Sequence, residues 1–118
     1  MTDNSSRNYT GKAQVIYPTG DLYEGDFVDG HRSGHGIYTY LEKGEKYEGE
    51  WLNNLKHGIG KATYTEGEFF GRFENGKRHG EGVFTYKKSR DIYSGSWKHG
   101  TKHGNGTYIF TDTKTKVI

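Results

Sequence analysis

Four segments of the chain align without a gap: LYEGDFVDGHRSGHGIYTY (22–40), KYEGEWLNNLKHGIGKATY (46–64), EFFGRFENGKRHGEGVFTY (68–86) and IYSGSWKHGTKHGNGTYIF (92–110), each nineteen residues long. Every segment reads aromatic, any residue, glycine, any residue, aromatic, then a polar stretch, Gly-x-Gly and a run that ends in an aromatic. The first aromatic is Tyr23, Tyr47, Phe69 and Tyr93; the second is Phe27, Trp51, Phe73 and Trp97. A half-repeat, GKAQVIYPTG at 11–20, precedes them with Ala13 where the second glycine should stand. Short units repeated in phase build architectures in which each unit contacts mainly its neighbours.

The spacing inside a unit is that of strands. Residues 23, 25 and 27 share parity, as do 34, 36, 38 and 40, so each set projects on one face of an extended chain. Glycine density and a period of two exclude helix. DGHRS, NNLKH, NGKRH and HGTKH read as hairpin turns of the Asn/Asp/Gly kind, which tolerate positive φ. The links PTGD, LEKGE, TEG and KKSRD return the chain between units and are too short for a parallel crossover. The fold class is therefore all-β: a single-layer antiparallel meander of about nine to ten strands, one hairpin per repeat. The sheet covers 9–110, as a half-repeat 9–21 and repeats 22–44, 45–67, 68–91 and 92–110. A flexible tail, 1–8, precedes it, and 111–118 follows as a tail or edge strand. Gly25, Gly36 and their equivalents are expected to leave room over which neighbouring rings lie.

Composition agrees with a thin, unusual core. The chain has 118 residues, 30% hydrophobic, with 19 glycines and no cysteine. It compensates with ten tyrosines, six phenylalanines and two tryptophans, an aromatic content that disordered chains lack. A formal charge of +2 is too near balance to point to nucleic acid. Without cysteine there is no disulfide framework, thiolate zinc site or thiol nucleophile. The first twenty residues carry no apolar leader core, so a cytoplasmic location is expected.

YEGEW followed by a turn and HGIGKATY resembles the MORN repeat, with Trp51, His57, Gly58 and Gly60 where that pattern puts them. The resemblance spans residues 9–110. Departures are Ser33 for the turn histidine, Asn54 for the turn glycine, Phe70 for an acidic residue, and Ala13. It implies a single-sheet scaffold of the sort found in ciliary, cytoskeletal and membrane-junction proteins. The combination of YEGEW, HGIG and FENGKRHGEGVFTY is most similar to ciliary proteins of the radial spoke head type.

The residues themselves offer no catalytic constellation. Ser33 lies between His31 and His35, but GHRSG is not the G-x-S-x-G elbow. Gly34-His35-Gly36 and Gly104-Asn105-Gly106 do not lead into the helix that a phosphate loop requires. His57, His79 and His103 share one repeat position, about 10 Å apart across two strand spacings, too far to share one ion. No enzyme activity, metal or cofactor is expected.

Two surfaces are candidates for binding. One is the aromatic face: Tyr23, Phe27, Tyr38, Tyr40, Tyr47, Trp51, Tyr64, Phe69, Phe73, Phe84, Tyr86, Tyr93, Trp97 and Tyr108. One layer has nothing of its own to cover such a face. A partner's helix or extended segment, or a second copy in a homodimer, is expected to dock there, the alternative being rings that cover one another. The other surface is a basic ridge of Arg32, Lys56, Lys77, Arg78, Lys98 and Lys102 at one end of the hairpins, suited to anionic lipid. The expected function is a non-catalytic scaffold docking protein subunits of a cytoskeletal or ciliary assembly such as a radial spoke in the axoneme. The alternative is a peripheral membrane adaptor binding anionic phospholipid through the basic turns.

Overall fold

The computed structural model describes residues 8–111. Nine strands follow one another: β1 (Gly11–Ile16), β2 (Leu22–Val28), β3 (His31–Tyr40), β4 (Glu45–Leu52), β5 (Leu55–Thr63), β6 (Gly67–Glu74), β7 (Lys77–Tyr86), β8 (Ile92–Lys98) and β9 (Thr101–Ile109). They form one open sheet in sequence order, every neighbour antiparallel. The expected meander is present among the described residues. The two expected tails fall outside them, apart from Asn8 and Thr111.

The hairpin turns inside the repeats are shorter than the polar stretches suggest. Only Asp29-Gly30, Asn53-Asn54, Asn75-Gly76 and His99-Gly100 form them, with φ of 49°/79°, 48°/70°, 50°/84° and 51°/88°. Positive φ at both central residues is the two-residue turn whose twist matches the flanking strands. The chain therefore re-enters the ladder at once, and Phe27 faces Arg32, Trp51 faces Lys56, Phe73 faces Arg78 and Trp97 faces Lys102. Asn54 replaces glycine at no loss of hydrogen bonding, because its Oδ1 accepts the Arg32 N–H at 2.8 Å.

Each hairpin then bulges. Between the Gly25–Gly36 and Phe27–Arg32 pairs, Asp26 alone stands against residues 33–35, and the same shift recurs in the other three repeats. Gly34 takes the distorted position at φ 107°, where a side chain would be strained. A carboxylate holds the bulge in the first two repeats: Asp26 Oδ2 accepts the His35 N–H at 3.1 Å and Glu50 Oε2 the Ile59 N–H at 2.5 Å.

The second glycine of Gly-x-Gly does different work. A Cβ on Gly36 would come within 2.2–2.4 Å of the Tyr23 ring and hydroxyl, and one on Gly60, Gly82 or Gly106 would clash in the same way with Tyr47, Phe69 or Tyr93. The ring lies flat over bare backbone, and the Tyr23 and Tyr47 hydroxyls donate to the carbonyls of Asp26 and Glu50, both at 2.8 Å. The expected ring-on-glycine packing is thus present. Gly25 serves backbone approach instead, since its Cβ would sit 2.5 Å from the Gly36 Cα.

Candidate functional site: the aromatic face and its cations

The rings of successive repeats meet edge to face. Phe27, Tyr23, Trp51, Tyr47, Phe73, Phe69, Trp97 and Tyr93 form an unbroken zigzag with centroids 4.9–5.5 Å apart and planes 78–89° to one another. This is the arrangement the ring quadrupole favours, worth about 0.5–1.5 kcal/mol per pair beyond area. Tyr9 adds a ring over Phe27 at the near end.

The open docking face is corrected by this packing. Tyr23, Phe27, Tyr47, Trp51, Phe69, Phe73, Phe84, Tyr93 and Trp97 are buried, none more than 5% exposed. They are core, covered by one another and by what lies above them. Of the fourteen aromatic positions considered, Tyr38, Tyr40, Tyr64 and Tyr86 are half-buried and Tyr108 is exposed; these are the ones a partner can reach.

The basic ridge is corrected as well. Because the two-residue turns return Arg32, Lys56, Arg78 and Lys102 to the ladder, these four fold over the rings instead of projecting from the hairpin ends. The Arg32 guanidinium lies 5.1 Å from the Trp51 centroid and 5.2 Å from Tyr38. The Lys56 amine is 5.0 Å from Tyr40 and 5.2 Å from Tyr47. Arg78 is 4.6 Å from Trp97 and 5.4 Å from Tyr64, and Lys102 is 4.8 Å from Tyr93 and 5.2 Å from Tyr86. Arg32, Lys56 and Arg78 each also approach the second aromatic of the next repeat, so their stems roof the core while their charges meet ring faces. Lys77 and Lys98 remain exposed, and so does Lys102 despite its ring contacts.

The four cations differ in how their donors are satisfied. Arg32 donates Nη1 to the Tyr17 hydroxyl at 2.7 Å and Nη2 to the Asn54 carbonyl at 3.0 Å. Arg78 donates Nη2 to the Gly100 carbonyl at 2.7 Å. Lys102 donates to the Tyr86 hydroxyl at 2.5 Å and to that of Tyr108. The backbone locks the same places across repeats, with Asn54, Gly76 and Gly100 N–H groups donating to the carbonyls of Arg32, Lys56 and Arg78. Among the described residues the carboxylates in ion pairs are held by Lys12 and Lys61, and Glu74 lies 3.4 Å from the His79 imidazole; none of them meets any of these four.

Lys56 is the weakest-satisfied member of the set. Burial pushes its amine down to about 8, with Lys43 and Arg78 adding to the effect and Glu45 opposing it. The proton is therefore held more tightly in the unfolded chain, near 10.5, and stability should rise with pH between about 8 and 10.5. Below that window the buried cation costs stability in full, less what the Tyr40, Tyr47 and Phe73 rings return. Lys56→Met keeps the roofing stem and removes the charge. The expected result is a gain of about 1–2 kcal/mol at pH 7 that shrinks at pH 9.5, read from urea midpoints of the two proteins. A constant difference at both pH values would contradict it.

The opposite face carries Glu48, Glu50, Thr39 and Lys61 in the open, with Glu24, Asp26 and Thr63 half-buried, as a solvated face should. Phe70 stands among them at 58% exposed, between Lys61 and Val83 in the ladder. Ser33, in place of histidine, is buried and accepts the Asn53 N–H at 3.1 Å, which gives it a structural use. Sequence reasoning missed the contact of His79 with His99, whose ring centroids are 5.6 Å apart, because they occupy different repeat positions.

A family model for the MORN repeat matches residues 23–40, 47–68, 69–89 and 93–115. The four matches start on Tyr23, Tyr47, Phe69 and Tyr93, the rings that lie over glycine. No curated protein matches the chain.

Proposed function

The chain belongs to the MORN repeat family, a family of non-catalytic modules that engage proteins or membranes, and on that premise we propose that it is a protein-docking scaffold. Its partners are subunits of a larger cytoskeletal or ciliary assembly, as in a radial spoke. The observation that carries this reading is the half-buried tyrosine row, Tyr40, Tyr64 and Tyr86, set at the same place in three successive repeats beside Lys56, Arg78 and Lys102. Amphipathic rings at the edge of a packed core give large contact area at low entropy cost, which is what docking surfaces use.

The membrane reading loses support from the fold of the basic side chains. A flat headgroup layer meets charges that project, whereas four of the six basic residues are drawn down onto rings. The test is affinity capture with the wild-type protein and a Tyr40→Ala, Tyr64→Ala, Tyr86→Ala variant, both checked for cooperative unfolding. Cytoskeletal or axonemal subunits held by the wild type and lost by the variant would support the scaffold. An identical catch from both proteins, or only membranes that salt removes, would overturn it.

A further inference from the structure

Resting on the docking reading, we infer that the aromatic face binds an acidic polyproline II segment whose carboxylates recur at every third residue. The charges on this face are unopposed by any ion pair among the described residues. Lys56, Arg78 and Lys102 stand in a row on one face, while the ion-paired carboxylates among the described residues belong to Lys12 and Lys61. Lys56 has the most to gain, with no hydrogen-bond acceptor of its own among the described residues and a cavity of about 290 Å³ beside it, lined by Arg32, Tyr38, Tyr40, Trp51 and Asn54 among others. Cations set against rings, with Lys56 and Arg78 half-buried and Lys102 exposed, are complementary to carboxylates carried on an apolar strip.

The spacing of these cations matches one chain conformation. Equivalent cations sit on β5, β7 and β9, two ladder steps apart, about 9.5 Å. A polyproline II chain rises about 3.1 Å per residue with three residues per turn, so every third side chain recurs after about 9.3 Å on the same side. An extended β-strand covers a similar distance in three residues but turns its third side chain to the opposite face. The residues between the carboxylates would lie on the tyrosine row, and aromatic grooves favour prolines in this conformation. Charges held against rings at this repeat, two of the three half-buried, suit a narrow chain lying along the tyrosines better than a flat lipid surface.

The test is fluorescence anisotropy with the full chain and two labelled peptides of one composition, (Glu-Pro-Pro)5 and an isomer with its five glutamates contiguous. The spaced peptide is expected to bind about tenfold tighter than the isomer, and to weaken with salt. Lys56→Met is expected to weaken it severalfold, whereas Lys77→Met, at an exposed position off the rings, leaves it unchanged. Equal affinity for the two peptides, or equal loss from both lysine variants, would overturn the inference, as would binding only to phosphatidylserine vesicles. If the spaced peptide fails while the tyrosine variant still loses its captured subunits, the face docks proteins without its cations. If both fail, the docking reading itself falls.

Discussion

Gly60→Val is expected to lower the stability of the sheet by about 3 kcal/mol or more, the upper end of what overpacking a core costs. The reason is the absence of any direction in which the strain can relax. A Cβ at Gly60 comes within 2.3–2.5 Å of the phenol end of Tyr47. That ring is fully buried, tied by its hydroxyl to the Glu50 carbonyl, and held edge-on by Trp51 and Phe73 at 5.2 and 4.9 Å. Gly44 is the control: a Cβ there meets nothing within 4 Å, so Gly44→Ala should cost only about 1 kcal/mol from its positive φ. Urea unfolding of both variants at constant m-value separates the two. Equal losses would mean that glycine is needed for backbone freedom and not as the floor beneath a ring.

Trp51→Ala should cost about 3–5 kcal/mol, the range for deleting a large buried aromatic. Its indole meets Tyr23 and Tyr47 edge to face, lies under the Arg32 guanidinium, and donates Nε1–H to the Gly36 carbonyl at 3.1 Å. Trp97 holds the equivalent place, yet its buried Nε1 has no partner among the described residues. Trp97→Ala should therefore cost about 1 kcal/mol less, the net worth of one hydrogen bond. Reversal of that order in denaturant titrations would contradict the account of the two indoles. Either way these substitutions report on folding, and the tyrosine row is the place to probe docking.

The meander and the ring-on-glycine packing were legible because both follow from strand parity and from the places where glycine recurs. The roofing cations were legible in principle and missed in practice. Arg32 shares parity with Gly34, Gly36 and Tyr38, so it belongs on the aromatic face once the strand is extended to it. Reading DGHRS as one turn hid this, although Asp-Gly and Asn-Gly are the residue pairs that close a hairpin in two residues. The bulge opposite Asp26 sets three residues against one and so leaves parity intact. Whether the aromatic face stays open was a different kind of question. It depends on ring orientation and on where four long side chains lie, and a repeat pattern fixes neither.

Because Trp51 and Trp97 are the two tryptophans of the chain, collisional quenching of their fluorescence by acrylamide tests most directly whether the aromatic row is core. Both are 5% exposed. The account predicts a quenching constant severalfold below that of the urea-unfolded chain, without any partner present. A constant in the folded protein close to the unfolded value would show the row open to solvent and contradict the claim that rings and cations close it.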